Sequence, residues 1–159
     1  MGAGKTTVGQ LLAERLDCAW SDSDLDIEAT TGLTVRELRD RDGVTAMHGL
    51  EAAHLLEALE STGPSVISAA ASVVDEPACR AALAVPGTVV IWLRADPVLL
   101  AERFGSGPHR PGYGDAPEAF LAEQAARREP LLGQIGAHVI DVDDLTPTEV
   151  VARAIAMLG

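Results

Sequence analysis

The sequence predicts a single α/β domain, a parallel sheet covered by helices on both faces, and three observations predict it. The glycine loop "GAGKTT" at residues 2–7 opens directly into a helical pattern. Short β-branched runs then alternate with helical stretches along the chain. Finally, Thr-x-x-Glu boxes at Thr34 and Thr146 mark two helix starts. With 159 residues the chain is long enough for one compact core, expected to span residues 1–159 as one domain.

Taken in order, Lys5 to Leu16 is helical, with Val8, Leu11, Leu12 and Leu16 on one face. A strand is expected to deliver the glycine loop, and it is absent ahead of Met1. The expectation is that Met1 lies inside a longer reading frame, in which roughly ten upstream residues supply that first strand. An intact mass of the native protein equal to the chain as given would overturn this. "CAWSD" reads as a short strand running into the polar group Asp22, Ser23 and Asp24. The capping box of Thr34 and Glu37 starts a helix over "VRELRD", and a long helix follows from about Ala46 to Glu60. After the turn "STGP", "SVISAA" is an apolar strand, and "PGTVVIWL" is a β-branched strand bounded by Pro-Gly. Asp96 and Pro97 occupy the N-cap and N1 positions of another helix. "GSGPHRPGYGDAP", with four glycines and three prolines in thirteen residues, excludes regular structure and reads as a functional lid over about 104–117. "EAFLAEQAARREPLL" is helical, "AHVIDV" is a strand, and Thr146, Pro147 and Glu149 cap a last helix.

Composition narrows the partners. Twenty-four acidic residues against 12 basic ones give a net charge of −12, which argues against a nucleic-acid footprint. No apolar run approaches the ~20 residues that span a bilayer, and nothing resembles a signal peptide, so a cytoplasmic protein without a membrane partner is expected. Cys18 and Cys79 have no metal-ligand spacing and read as core residues.

"GAGKTT" carries the last letters of the phosphate-binding pattern G-x-x-x-x-G-K-[ST]; counting back from Gly4, its first glycine falls before Met1. Glycines at such a loop let backbone N–H groups close around phosphate oxygens, and a helix N-terminus adds a favourable dipole. Gly2, Ala3, Gly4, Lys5, Thr6 and Thr7 are therefore the candidate nucleotide loop, with Lys5 reaching the β and γ phosphates and Thr6 holding Mg²⁺. A flexible glycine turn is the alternative, but Lys5 is the only lysine in the chain and it stands at the required place. Asp22 and Asp24 end a predicted strand, where ligands bind in open α/β sheets. Carboxylates there can position Mg²⁺ or accept a proton from an attacking hydroxyl, although an isolated D-x-D in an acidic protein also reads as a solvated turn. Arg103, Arg110, Arg127 and Arg128 gather around the predicted lid, where guanidinium groups would stabilise a transferring phosphoryl group; surface arginines are the plain alternative.

With these residues in view the chain resembles the shikimate kinase family of P-loop kinases nearly from end to end. The resemblance rests on "GAGKTTVG", "DSDLDIEATTGLTVRELRDRDG", Glu51, "AERF", "HRP" and "RREPLL". It implies a three-layer P-loop kinase fold, a substrate-binding region at about 24–51, and ATP- and Mg²⁺-dependent phosphorylation of the 3-hydroxyl of shikimate by a monomer. It also implies that Asp24 orients the attacking hydroxyl, that Asp22 helps organise magnesium, and that Lys5 and Arg110 act on the phosphates. Arg103 would pack on adenine and Arg128 would bind the acceptor's carboxylate. Two departures fall on the acceptor side. The family's F-R-x-x-E is here "MHGLE", putting His48 where the family has an arginine, and its "GGG" is here Ala69, Ala70 and Ala71. Histidine cannot form the bidentate fork of an arginine, and losing one of two such arginines costs about 2 kcal/mol, or ~30-fold in affinity. The three β-carbons are expected to obstruct the acceptor's approach to the backbone. Two other readings stay open: a kinase of the same kind acting on a different small polyol or acid, and a nucleotide-binding protein without turnover.

Overall fold

The computed structural model describes residues 2–104 and 116–159, with the side chains of residues 103 and 104 outside the description. It is a mixed α/β fold, mostly helical, with short parallel strands. Helix α1 (Lys5–Leu16) follows the glycine loop, and strand β1 (Ala19–Asp22) leads into α2 (Ser23–Thr31), α3 (Val35–Asp42) and α4 (Val44–Leu59). Strand β2 (Ser65–Ser68), a 3-10 turn (Ala71–Asp75), α5 (Pro77–Leu83), β3 (Ile91–Arg94) and α6 (Pro97–Phe104) come next. Helix α7 (Pro117–Gln134), β4 (His138–Asp141) and α8 (Pro147–Met157) complete the chain.

The expected parallel pairing is present among the described residues, but as two pairs rather than one sheet: β1 with β2, and β3 with β4. The register sets Asp22 beside Ser68 in the first pair and Arg94 beside Asp141 in the second. What joins the pairs is α1. Its Val8 and Leu12 are buried with Ile140, Val142, Val150, Val151 and Ala154, and Val66 of β2 and Leu93 of β3 pack on that same cluster. A second core gathers Leu55, Ala70, Val73, Val74, Cys79 and Leu83 between α4, the 3-10 turn and α5.

Gly9 decides how closely α1 lies on the first pair. A β-carbon there would stand 2.1 Å from Ser68 Oγ and 2.8 Å from Trp20 Nε1, so only glycine fits. Those two groups are themselves joined, Trp20 Nε1 donating to Ser68 Oγ at 3.0 Å, while Ser68 Oγ donates to the Lys5 carbonyl at 3.2 Å.

Most expected elements form, with shifted bounds. The long helix begins at Val44, and the "PGTVVIWL" strand is confined to Ile91–Arg94. Three elements lie outside the sequence expectation: α2, the 3-10 turn and α5. Asp22 ends β1 as expected and is also the N-cap of α2, its side chain accepting the N–H groups of Asp24 and Leu25 at 3.0 and 3.3 Å. Both capping boxes form as expected, at Thr34 and Thr146. Cys79 is buried, whereas Cys18 is half-buried rather than a core residue, and both are free thiols. Among the described residues no helix is long and apolar enough to cross a membrane.

Candidate active site

The glycine loop, the end of β1 and the start of α2 meet around a recess of about 210 Å³ lined by Gly2, Gly4, Lys5, Thr6, Thr7, Asp22, Ser23, Asp24, Val35 and Ser68. Gly2 and Gly4 both have left-handed backbone, with φ of 80° and 84°, which L side chains rarely adopt. Gly4 is also the N-cap of α1, and it offers no side-chain oxygen to the helix's first N–H groups. Those donors stay available to an anion at the helix N-terminus.

Asp22 is the hub of this end. It is 4% exposed, and its two oxygens divide their work. Oδ1 accepts the α2 N–H groups, and Oδ2 accepts the Thr6 hydroxyl at 2.7 Å. The Asp22 N–H in turn donates to Asp26 Oδ2 at 3.2 Å, and the same oxygen meets His54 Nε2 at 2.8 Å. His54 Nδ1 is buried with no hydrogen-bond partner. The chain from His54 through Asp26 and Asp22 to Thr6 thus ties α4 to the glycine loop. Thr6 and Asp22, the two expected magnesium ligands, are in direct contact. An oxygen pair of this kind suits Mg²⁺, which takes one or two protein oxygens and completes its shell with water and phosphate. Among the described residues no group of three or more His, Cys, Asp or Glu could hold a metal by itself.

Asp24 lies two residues beyond the hub in the same recess, half-buried, at the first turn of α2. Glu51 approaches from α4. It is 4% exposed, and Ser72 Oγ donates to its Oε2. Burial pushes its carboxyl above the usual carboxylate range; the Ser72 hydrogen bond opposes this, Asp24 reinforces it, and Lys5 and Arg128 oppose it more weakly. The sequence reading used Glu51 as a family marker and gave it no site role. Its signal was periodicity: Met47, Glu51 and Leu55 share one buried face of α4, and an acid at a core position is rarely idle.

Arg128 and His48, two of the expected acceptor residues, belong to a second cluster with Arg127 and Asp75. Arg128 Nε and Nη2 donate to Asp75 Oδ2 at 3.2 and 2.8 Å, and Arg127 Nη2 donates to the same oxygen at 2.7 Å. His48 faces this group; burial lowers its pKa and the Arg128 charge lowers it further, so the ring is neutral near pH 7. The three alanines separate from one another: Ala70 lies in the second core, Ala69 packs against it and Ala71 is exposed. Ala70 has φ of −63°, so the backbone there carries no strain from replacing glycine. Arg110 lies outside the described residues, as does the Arg103 side chain. His54 and Asp75 carried no local sequence signal, since each acquires its partner only through tertiary contact.

Comparison with known proteins shows the family. The family model for shikimate kinase matches residues 1–159. A shikimate kinase of Salinispora arenicola is 32% identical over 159 residues, spanning 99% of this chain and 93% of that protein. One from Pseudomonas syringae pv. tomato is 35% identical over 160 residues, spanning 100% and 92%. Among solved structures, the shikimate kinase of Acinetobacter baumannii in complex with shikimate matches with a TM-score of 0.88 at 25% identity, covering 99% of this chain and 88% of that one.

Proposed function

The chain belongs to the shikimate kinase family and has that family's ATP-using phosphotransferase activity, and from that premise we propose how its own residues carry the reaction. The γ-phosphoryl group of ATP passes to the 3-hydroxyl of shikimate, giving shikimate 3-phosphate. The loop from Gly2 to Thr7 holds the phosphates by backbone N–H groups, and Lys5 bears on the β and γ oxygens as charge develops there. Thr6 and Asp22 would hold Mg²⁺, which would neutralise phosphate charge. Asp24 orients the acceptor hydroxyl and takes its proton. Arg128 binds the acceptor's carboxylate, with His48 beside it; of the alanine triplet only Ala69 and Ala71 remain to face an acceptor, because Ala70 lies in the second core. Arg103 and Arg110 serve adenine and phosphates from the lid side.

The finer architecture follows the same reading: a three-layer P-loop kinase domain over residues 1–159, with a substrate-binding region at about 24–51 and a lid at about 104–117. A monomer working in the cytoplasm completes the reading.

The observation that carries the reading is the Thr6–Asp22 contact at 2.7 Å with Asp24 in the same recess as Lys5. It supports the reading because the residues proposed for phosphate loop, metal and proton gather around one recess. Shikimate-dependent ADP release with Mg-ATP is the test. Turnover that stops without shikimate is expected; nucleotide binding with no turnover would overturn the reading. The neutral His48 in an arginine's place favours a second acceptor class, a less acidic polyol, and a panel of such compounds in the same assay separates the two.

A further inference from the structure

The guanidinium assigned above to the acceptor's carboxylate is already engaged by a carboxylate of the protein. Asp75 ends the 3-10 turn and is 22% exposed, and its Oδ2 accepts three N–H groups, two from Arg128 and one from Arg127. Arg128 is 15% exposed, so its contact with Asp75 is shielded from water, whereas Arg127 is 54% exposed. Asp75 takes the Nε–Nη2 edge of the Arg128 guanidinium, the edge of its bidentate fork, and two carboxylates on the same edge repel each other. An acid arriving at that edge of Arg128 therefore meets an occupied one.

We propose that Asp75 is a specificity-determining residue that competes with the acceptor's carboxylate for Arg128, and that Arg127 receives Asp75 when the acceptor displaces it. This rests on the reading of Arg128 as the acceptor's carboxylate ligand. Because all three contacts converge on one oxygen, Asp75 can give up Arg128 and keep Arg127 without becoming an unpaired carboxylate. Two arginines against one aspartate leave one positive charge for the incoming acid. His48, neutral beside them, adds none. The cluster thus lowers the advantage of an acidic acceptor over its uncharged counterpart without abolishing it.

The test compares KM for shikimate and for shikimate carboxamide. In the unaltered protein the two are expected to differ by about threefold or less, and a preference for the acid above ~30-fold would overturn the proposal with no variant needed. Asp75→Asn is expected to lower the KM for shikimate about tenfold while leaving the carboxamide KM, the ATP KM and kcat unchanged. A shikimate KM that stays or rises in a variant of unchanged melting temperature overturns it, and Asp75→Ser repeats the test should the amide fail to fold. Arg127→Ala is expected to raise the shikimate KM in the unaltered background and to have no effect beside Asp75→Asn. An equal effect in both backgrounds would mean that Arg127 touches the acceptor directly, which also overturns the proposal. Arg128→Ala separates the two layers of inference. If it leaves the shikimate KM alone, the carboxylate-binding role of Arg128 fails; if it raises that KM while Asp75→Asn does not lower it, only the competition fails.

Discussion

At the glycine loop, proposed above as the phosphate site, the available groups are backbone amides, set by the left-handed turns at Gly2 and Gly4 and the first turn of α1. At the separate cluster proposed as the acceptor site they are side chains, and Asp75 already holds Arg127 and Arg128 there. The first end is fixed by chain geometry, so it admits few substitutions and appears plainly as "GAGKTT". The second can change one residue at a time, as it has at His48 and the alanine triplet, while the fold persists. On the proposed assignment, phosphate chemistry is constrained by shape, and acceptor choice by a redistributable set of charges.

The largest expected effect lies where the two ends meet. Asp24→Asn should lower kcat by about 10²–10⁴ while nucleotide affinity holds, because a proton acceptor is lost and no phosphate contact is. A parallel loss of ATP affinity, measured by calorimetry, would mean that the two ends are not separable. Gly9→Ala strikes the packing beneath the phosphate end. Its β-carbon collides with Ser68 Oγ, so a loss of about 1–3 kcal/mol is expected, seen as a melting temperature lower by about 2–12 °C. Ser68→Ala in the same chain should recover part of that loss, and no recovery would place the strain at Trp20 instead.

Glu51 probes the acceptor side through pH. Its carboxyl titrates above the usual range in the folded protein, so the folded state holds the proton more tightly than the unfolded one. Stability should therefore fall as pH rises from the ordinary carboxylate value through the raised one. Glu51→Gln should match the parent at the acid end of that window and melt higher above it; parallel melting curves would show that burial of the charge costs nothing. The smallest effect is expected from Thr34→Ala, which removes the N-cap of α3, where Thr34 Oγ1 accepts the Glu37 N–H at 3.2 Å. A loss of about 1 kcal/mol should accompany a modest rise in acceptor KM and no change for ATP. Thr146→Ala, at the same motif on α8 far from the recess, should change neither KM.

Legibility in the sequence followed the range of the interaction. Local rules found α1, α3, α6 and α8, because glycine loop, caps and apolar spacing lie within a few residues of each other. The same kind of local signal stands at Asp22 and at Glu76-Pro77, ahead of α2 and α5, but a D-x-D suits a metal-binding turn as well as a helix cap. The division into two strand pairs was not legible, because pairing is decided by chain segments far apart. In the site, Lys5, Thr6, Asp22 and Asp24 were readable and do converge. Glu51 was half-readable from its place on the buried face of α4. Asp75 and His54 were not, because their meaning depends on partners 53 and 28 residues away in sequence.

The pairing of Asp22 with Ser68 gives the first strand pair the character of a ruler. Ser68 grips the Lys5 carbonyl, so one strand carries the position of the phosphate loop and its neighbour carries that of the carboxylates. A slip that kept each side chain on its proper face would have to move by two residues, and so displace Asp22 by about 6.6 Å along the strand, farther than any in-line transfer can bridge. Insertions in the turn at 61–64 leave the ruler intact, whereas a single residue added within 19–22 recalibrates it. Length variation in such an enzyme should be free at the turn and forbidden in the four residues that precede α2.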